Sequence, residues 1–230
     1  MRFLFLISFV FFGCNSVKKK DVVDTNRVIK YASNFKIEQK EGLTFLKIID
    51  PETNKTEIQY FLKKKGQEDQ KGFISIQVPI KSIAALSSTH IGMLNKIDAL
   101  DVITVISDTT YIDNSFIKEK TRSNKVKSIG SEGLESVESI IHSQVNVVMF
   151  SGFGKPFSHQ DKLENLGIVC IPNYDWREIH PLGKAEWIKL FGYLVGKEKQ
   201  ATDYMTKIEN EYFDLVHLAK KSVSASSLFC

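Results

Sequence analysis

From Lys81 onward, short apolar runs alternate with segments of helical periodicity, and this alternation limits the fold more than any other feature. The runs lie at 82–86, 102–106, 145–150 and 168–171. Between the first two, residues 90–100 carry Ile91, Leu94, Ile97 and Leu100 on one helical face. Ser87, Ser88 and Thr89 ahead of them suit an N-cap. After a long polar loop, Leu134, Val137, Ile140 and Ile141 mark a second helix; residues 162–166 belong to a third, and 185–195 form one apolar on more than one side. Strands alternating with helices predict an α/β fold, a parallel sheet with helices on both faces.

Residues 27–80 read differently. Apolar runs at 35–37, 43–49 and 57–62 are separated by turn signals, Glu41-Gly42 and Asp50-Pro51 through Asn54. A charged loop at 66–72 precedes another strand at 73–78. This predicts a small antiparallel sheet as an N-terminal extension, with an α/β lobe over 81–199. A last helix over 200–221 places Ala201, Tyr204, Met205, Ile208, Tyr212, Leu215, Val216 and Ala219 on one stripe, which requires a covering surface.

The first residues carry a separate signal. Arg2 precedes the apolar run FLFLISFVFF, and Gly13-Cys14 follows it. A charged start, a short apolar core and a small residue at the cut describe a secretory signal peptide over 1–13. The run is shorter than the roughly 20 residues a membrane span needs. Cys14 directly after the small residue is then the acylated first residue, and 14–26 a polar tether. Acyl chains such as palmitate would anchor the chain in a membrane of the cell envelope, facing the periplasm. The chain holds 31 basic and 27 acidic residues; loss of Arg2 leaves a mature balance of +3, which points away from nucleic acid. Cys170 sits in an apolar run as a buried thiol, and its pairing with Cys230 stays open.

Parallel α/β sheets bind ligands outside the carboxyl ends of their strands. Here those ends are 87–90, 107–111, 151–153 and 173–178. They supply the binding candidates Ser88, Thr89, His90, Tyr111, Ser151, Gly152, Phe153, Tyr174, Trp176, Arg177 and Glu178. Aromatic faces suit a large, partly apolar ligand, and Arg177 suits its carboxylates or phosphate. Nucleophile-elbow, phosphate-loop and dinucleotide motifs are missing, and the histidines at 90, 142, 159, 180 and 217 lack metal spacing. His180, before Pro181, reads as a cap or packing residue of its loop. The chain reads as a non-enzyme without a resident cofactor or metal.

Three stretches together resemble the substrate-binding proteins of ABC importers for ferric siderophores, haem or cobalamin. They are IAALSSTHI at 83–91 with LDVITVI at 100–106, SIG at 128–130 with LESVE at 134–138, and WREIHPLGKAEWIK at 176–189. The resemblance covers roughly residues 79 to 220. It implies one lobe of a two-lobed periplasmic-binding-protein fold, with 200–221 as the backbone helix. The second lobe is absent from the sequence, which the resemblance reads as truncation and which predicts weak ligand binding. It further implies a monomer that delivers an iron chelate or cobalamin to an ABC permease of the inner membrane. Many such proteins dock on the permease through a glutamate near the start of the first helix; His90 stands there. A non-functional truncated product is the alternative, and an envelope α/β enzyme a further one.

Overall fold

The computed structural model describes residues 28–110, 112–130, 134–154, 157 and 159–222. The expected signal peptide, Cys14, the tether, Tyr111 and Cys230 lie outside them.

The first sheet comprises β1 (Phe35–Lys40), β2 (Leu43–Ile49), β3 (Thr56–Lys63) and β4 (Ile74–Gln77), in that order. The first three pair antiparallel, with Lys40 opposite Leu43 across the Glu41-Gly42 turn. β4 pairs parallel to β3, against the expectation of a wholly antiparallel sheet. The physical reason is the long charged segment at 64–73, which returns the chain to the starting end of β3 before β4 begins.

The second sheet is wholly parallel. It contains β5 (Ile83–Ala85), β6 (Ile103–Ile106), β7 (Lys127–Ser128), β8 (Val147–Ser151) and β9 (Val169–Asn173), in the order β7-β6-β5-β8-β9. The helices are α1 (Ser88–Lys96), α2 (Ser115–Arg122), α3 (Leu134–His142), α4 (Gln160–Asn165), α5 (Pro181–Glu186), α6 (Ile188–Val195) and α7 (Glu198–Ser222). Alternate residues of β5 face opposite sides, as the pleat requires. Ala84 joins Val105, Val148, Val137, Ile140 and Leu163 in one core, under α3 and α4. Ile83 and Ala85 join Ile91, Leu94, Ile117 and Phe191 in the other, under α1, α2 and α6. Both sheet faces are therefore covered by helices. No helix of the described residues is long and apolar enough to cross a membrane.

Several elements depart from the sequence expectation. α2 and β7 fall within the stretch read as a polar loop. α2 has only Phe116 and Ile117 as apolar residues, and its start is fixed by Asn114, whose Oδ1 accepts from Ile117 N at 3.0 Å. The helix expected over 185–195 is two helices that meet at Trp187. α5 starts where Pro181 takes the first helical position, and His180 Nδ1 caps it by accepting from Leu182 N at 3.1 Å.

The two halves are tied together by a bent strap, residues 28–34, held by two buried carboxylates. Glu186 accepts from Lys30 N at 2.9 Å, Tyr31 N at 2.6 Å and Ala32 N at 2.9 Å. Lys189 Nζ lies 2.8 Å from Glu186 and donates to Val28 O at 2.8 Å. Glu178 accepts from Ser33 N at 2.9 Å, Asn34 N at 2.9 Å, Ser33 Oγ at 2.8 Å and Trp187 Nε1 at 3.1 Å. Gly183 permits this approach: a Cβ there would lie 3.0 Å from Tyr31 O and 3.2 Å from Glu178 Oε2. Beyond the strap, Phe35 packs on Trp187 with ring centroids 4.5 Å apart. Both rings are fully buried, worth about 2–3 kcal/mol each. Tyr60 OH donates to Cys170 O at 2.7 Å, so the first sheet caps the free edge of β9. Cys170 itself is a free, buried thiol.

Two binding candidates are corrected by their burial. Glu178 spends its carboxylate on the strap. His90 is wholly inside the core, its ring 5.7 Å from that of Phe191. It faces neither a ligand nor a permease, because the third residue of α1 turns toward the sheet. Burial pushes its imidazole down to about 3, and neither ring nitrogen makes a well-aligned hydrogen bond.

Replacing Glu186 by Gln removes the charge shared by Lys189 and three backbone donors. A loss of about 3 kcal/mol is expected, read as a lower urea midpoint at unchanged slope. The His90 imidazole takes up a proton near pH 6.5 in the unfolded chain and near 3 in the folded one. Stability is complete above 6.5 and falls with acidification by roughly 1.4 kcal/mol per pH unit down to 3. His90→Leu is expected to flatten the urea midpoint across that window.

Candidate functional site

The order of the second sheet reverses direction at β5, which has β6 on one side and β8 on the other. At such a point the loops after neighbouring strands diverge and leave a crevice. The loops that leave β8 and β9 remain close to each other: Gly152 N donates to Asn173 O at 2.9 Å, extending the ladder past the strand ends. Gly152 is required here. A Cβ on it would meet the Tyr174 ring at 2.3 Å.

After β9 the chain turns at once. Asn173 Oδ1 accepts from Asp175 N at 2.7 Å, and a 3-10 turn over Asp175–Arg177 follows. This turn sends its side chains in different directions. Tyr174 is buried, and its hydroxyl donates to Glu57 of β3 at 2.8 Å. Burial and that carboxylate push its ionisation well up. Asp175 turns inward, beside Thr89 at the start of α1. Burial raises its carboxyl, and hydrogen bonding from the Thr89 hydroxyl opposes the shift. An internal carboxylate thus stands where the α1 N-terminus would favour an external anion.

Trp176 and Arg177 turn outward. The Trp176 indole donates to Gly152 O at 3.1 Å, and its ring is 5.2 Å from that of Phe153. Phe153 is 65% exposed and Trp176 43%. Arg177 lies over the Trp176 ring at 5.2 Å, in cation–π range. Its Nη2 is 3.8 Å from Glu52 in the β2–β3 turn. A recess of about 50 Å³ separates that turn from the aromatic pair, lined by Asp50, Pro51, Glu52, Phe153, Trp176 and Arg177 among others. Another hollow, of about 970 Å³, runs along residues 28–40.

Of the residues singled out in the sequence, Gly152, Phe153, Tyr174, Trp176 and Arg177 come together, with Ser151 at the end of β8 beneath them. Ser88 and Thr89 are exposed on the first turn of α1, where Ser87 Oγ accepts from Thr89 N at 3.3 Å. His90 and Glu178 belong to the interior. Asp50, Glu52 and Glu57 were not foreseen. The sequence marks Asp50-Pro51 as a turn, and nothing local shows which surface that turn meets. Among the described residues, no group of three His, Cys, Asp or Glu residues could hold a metal ion.

No protein-family model matches the chain. An uncharacterized lipoprotein of Methanocaldococcus jannaschii is 27% identical over 160 residues, which are 64% of this chain and 37% of that protein. The chain therefore spans little more than a third of the length of this relative. Among solved structures, an ABC-type Fe3+-hydroxamate transport system protein of Saccharomonospora viridis DSM 43017 is similar at a TM-score of 0.43. It shows 18% identity, over 57% of this chain and 48% of that one. A possible iron-binding periplasmic solute-binding protein of Staphylococcus epidermidis ATCC 12228 gives 0.46 at 14% identity, over 60% and 50%. A periplasmic haem-binding protein of Roseiflexus sp. RS-1 gives 0.45 at 14% identity, over 61% and 51%. The chain is a parallel sheet covered by helices and followed by a long helix, and these matches reach about half the length of proteins whose names record Fe3+-hydroxamate transport, iron binding or haem binding.

Proposed function

We propose that the chain is the lipid-anchored substrate-binding component of an ABC importer and takes up an iron chelate, a siderophore or haem, or a cobalamin. In this reading residues 81–199 are the binding lobe, 27–80 an extension and 200–221 the backbone helix. Cys14 carries the anchor, and the partner is a permease of the inner membrane. The observation that carries the reading is the exposed Phe153–Trp176 pair with Arg177 upon it, at the carboxyl ends of β8 and β9. Exposed aromatic faces held rigid at this end of a parallel sheet suit a flat or bulky ligand with an apolar surface. The resemblance of 176–189 to such receptors supports the same choice.

Titration of the full chain with ferrioxamine B and with haem, followed by tryptophan emission, tests it. Saturable quenching by at least one chelate is expected, with affinity falling about tenfold or more in Trp176→Ala, as for an aromatic contact residue. Absence of saturable quenching with both and with cyanocobalamin, confirmed by equilibrium dialysis, would overturn the proposal.

A further inference from the structure

The recess before Trp176 has two walls from different parts of the chain. One is the lobe, through Gly152, Phe153, Tyr174, Trp176 and Arg177. The other is the β2–β3 turn of the N-terminal sheet, through Asp50, Pro51 and Glu52. That second wall is acidic. The Asp50 carboxylate accepts from Glu52 N at 2.7 Å and from Thr53 Oγ1 at 3.1 Å. These bonds, the backbone one first, hold it below the usual carboxylate range, so it stays an anion. Glu52 is largely exposed and only loosely opposed by Arg177, at 3.8 Å. Glu57 adds a third carboxylate behind Tyr174. Among the lining residues described, Arg177 is the single cation set against these groups. Lys55 follows on the turn, outside the lining.

Arg177 read alone suggests an anionic ligand. Its surroundings suggest otherwise, because its charge is already offset within the site. We infer that the β2–β3 turn is a selectivity element: Asp50 and Glu52 place net negative charge beside the aromatic platform and favour uncharged or cationic chelates over polyanionic ones. The inference rests on the reading of this surface as a chelate site. For one net negative charge about 8 Å from a trianion in water, Coulomb repulsion amounts to about tenfold in affinity. The effect diminishes as salt brings the screening length to about 10 Å or less.

The test has two arms, both on the full chain at low ionic strength. The chain holds two tryptophans, and Trp187 is fully buried while Trp176 is 43% exposed. Collisional quenchers therefore report on Trp176. Caesium is expected to quench better than iodide, each scaled to a free tryptophan amide, and Glu52→Gln and the double variant Asp50→Asn/Glu52→Gln are expected to shift the balance stepwise toward iodide. In the second arm, ferrioxamine B, which bears a pendant ammonium, is expected to bind about tenfold more tightly than the trianionic ferric enterobactin. The double variant should narrow that ratio. Iodide preference in the native chain, or a chelate ratio indifferent to both variants, overturns the inference while leaving chelate binding intact. Binding of neither chelate, nor of haem or cyanocobalamin, with the caesium preference present, instead removes the chelate-site reading and the selectivity with it.

Discussion

Glu186 and Glu178 take hydrogen bonds from five consecutive backbone N–H groups, those of Lys30 to Asn34, and the relation between the two halves of the molecule depends on this grip. The bent strap belongs to neither sheet, so its donors need acceptors from elsewhere. Carboxylates are strong acceptors but costly to bury. Each side answers the other's requirement. The strap satisfies Glu186 and Glu178 on several sides, Lys189 neutralises one of them, and the carboxylates satisfy the strap. Asn34 then leads directly into β1, so the first sheet starts from a fixed point on the lobe.

The same grip shapes the binding surface. Glu178 directly follows Arg177, and its carboxylate is anchored to Ser33 and Asn34. The loop between β9 and α5 is therefore fastened at both ends, by the ladder at Asn173 and by the strap at Glu178. The first sheet, seated by the strap, makes further polar contacts with the lobe, among them Tyr60 OH to Cys170 O, Gln39 Nε2 to Tyr193 OH, and Tyr174 OH to Glu57. Together these bring the Asp50–Glu52 turn to Arg177. An extension that the sequence shows only as a string of strands thus becomes one wall of the recess.

What the sequence made legible follows from how local each signal is. The runs that became β5, β6, β8 and β9 are apolar and largely buried on both faces, so pattern alone finds them. Periodicity over α7 places Ala201 and Met205 in the core and Tyr204, Ile208 and Tyr212 at its edge. The same periodicity does not separate these from Leu215, which is 65% exposed, because coverage depends on what lies beside the helix. α2 escaped notice because its short amphipathic pattern is diluted by lysines. β4 was found but its direction was not, since orientation is set by the path of the loop before it. At the site, Trp176 and Phe153 were readable from their place after strands. The interior role of His90 was not: three residues into a helix, an imidazole faces the sheet or the solvent according to a small rotation. Glu178 looked like a ligand group because its partners lie 145 residues earlier in the chain.

The geometry of Trp176 explains why an exposed aromatic pair persists on this surface without collapsing into the core. Its indole N–H is held by Gly152 O, so the ring edge is fixed while 43% of the residue stays exposed. Phe153 packs against the ring and Arg177 lies over it, which leaves little rotamer freedom to lose when a ligand arrives. Gly152 makes this possible twice: its missing side chain admits the Tyr174 ring beneath, and its carbonyl receives the indole. Tyr174 in turn is tied to Glu57 of the other sheet. The exposed Trp176 is thus supported by a chain of contacts from Glu57 through Tyr174 and Gly152 to the indole.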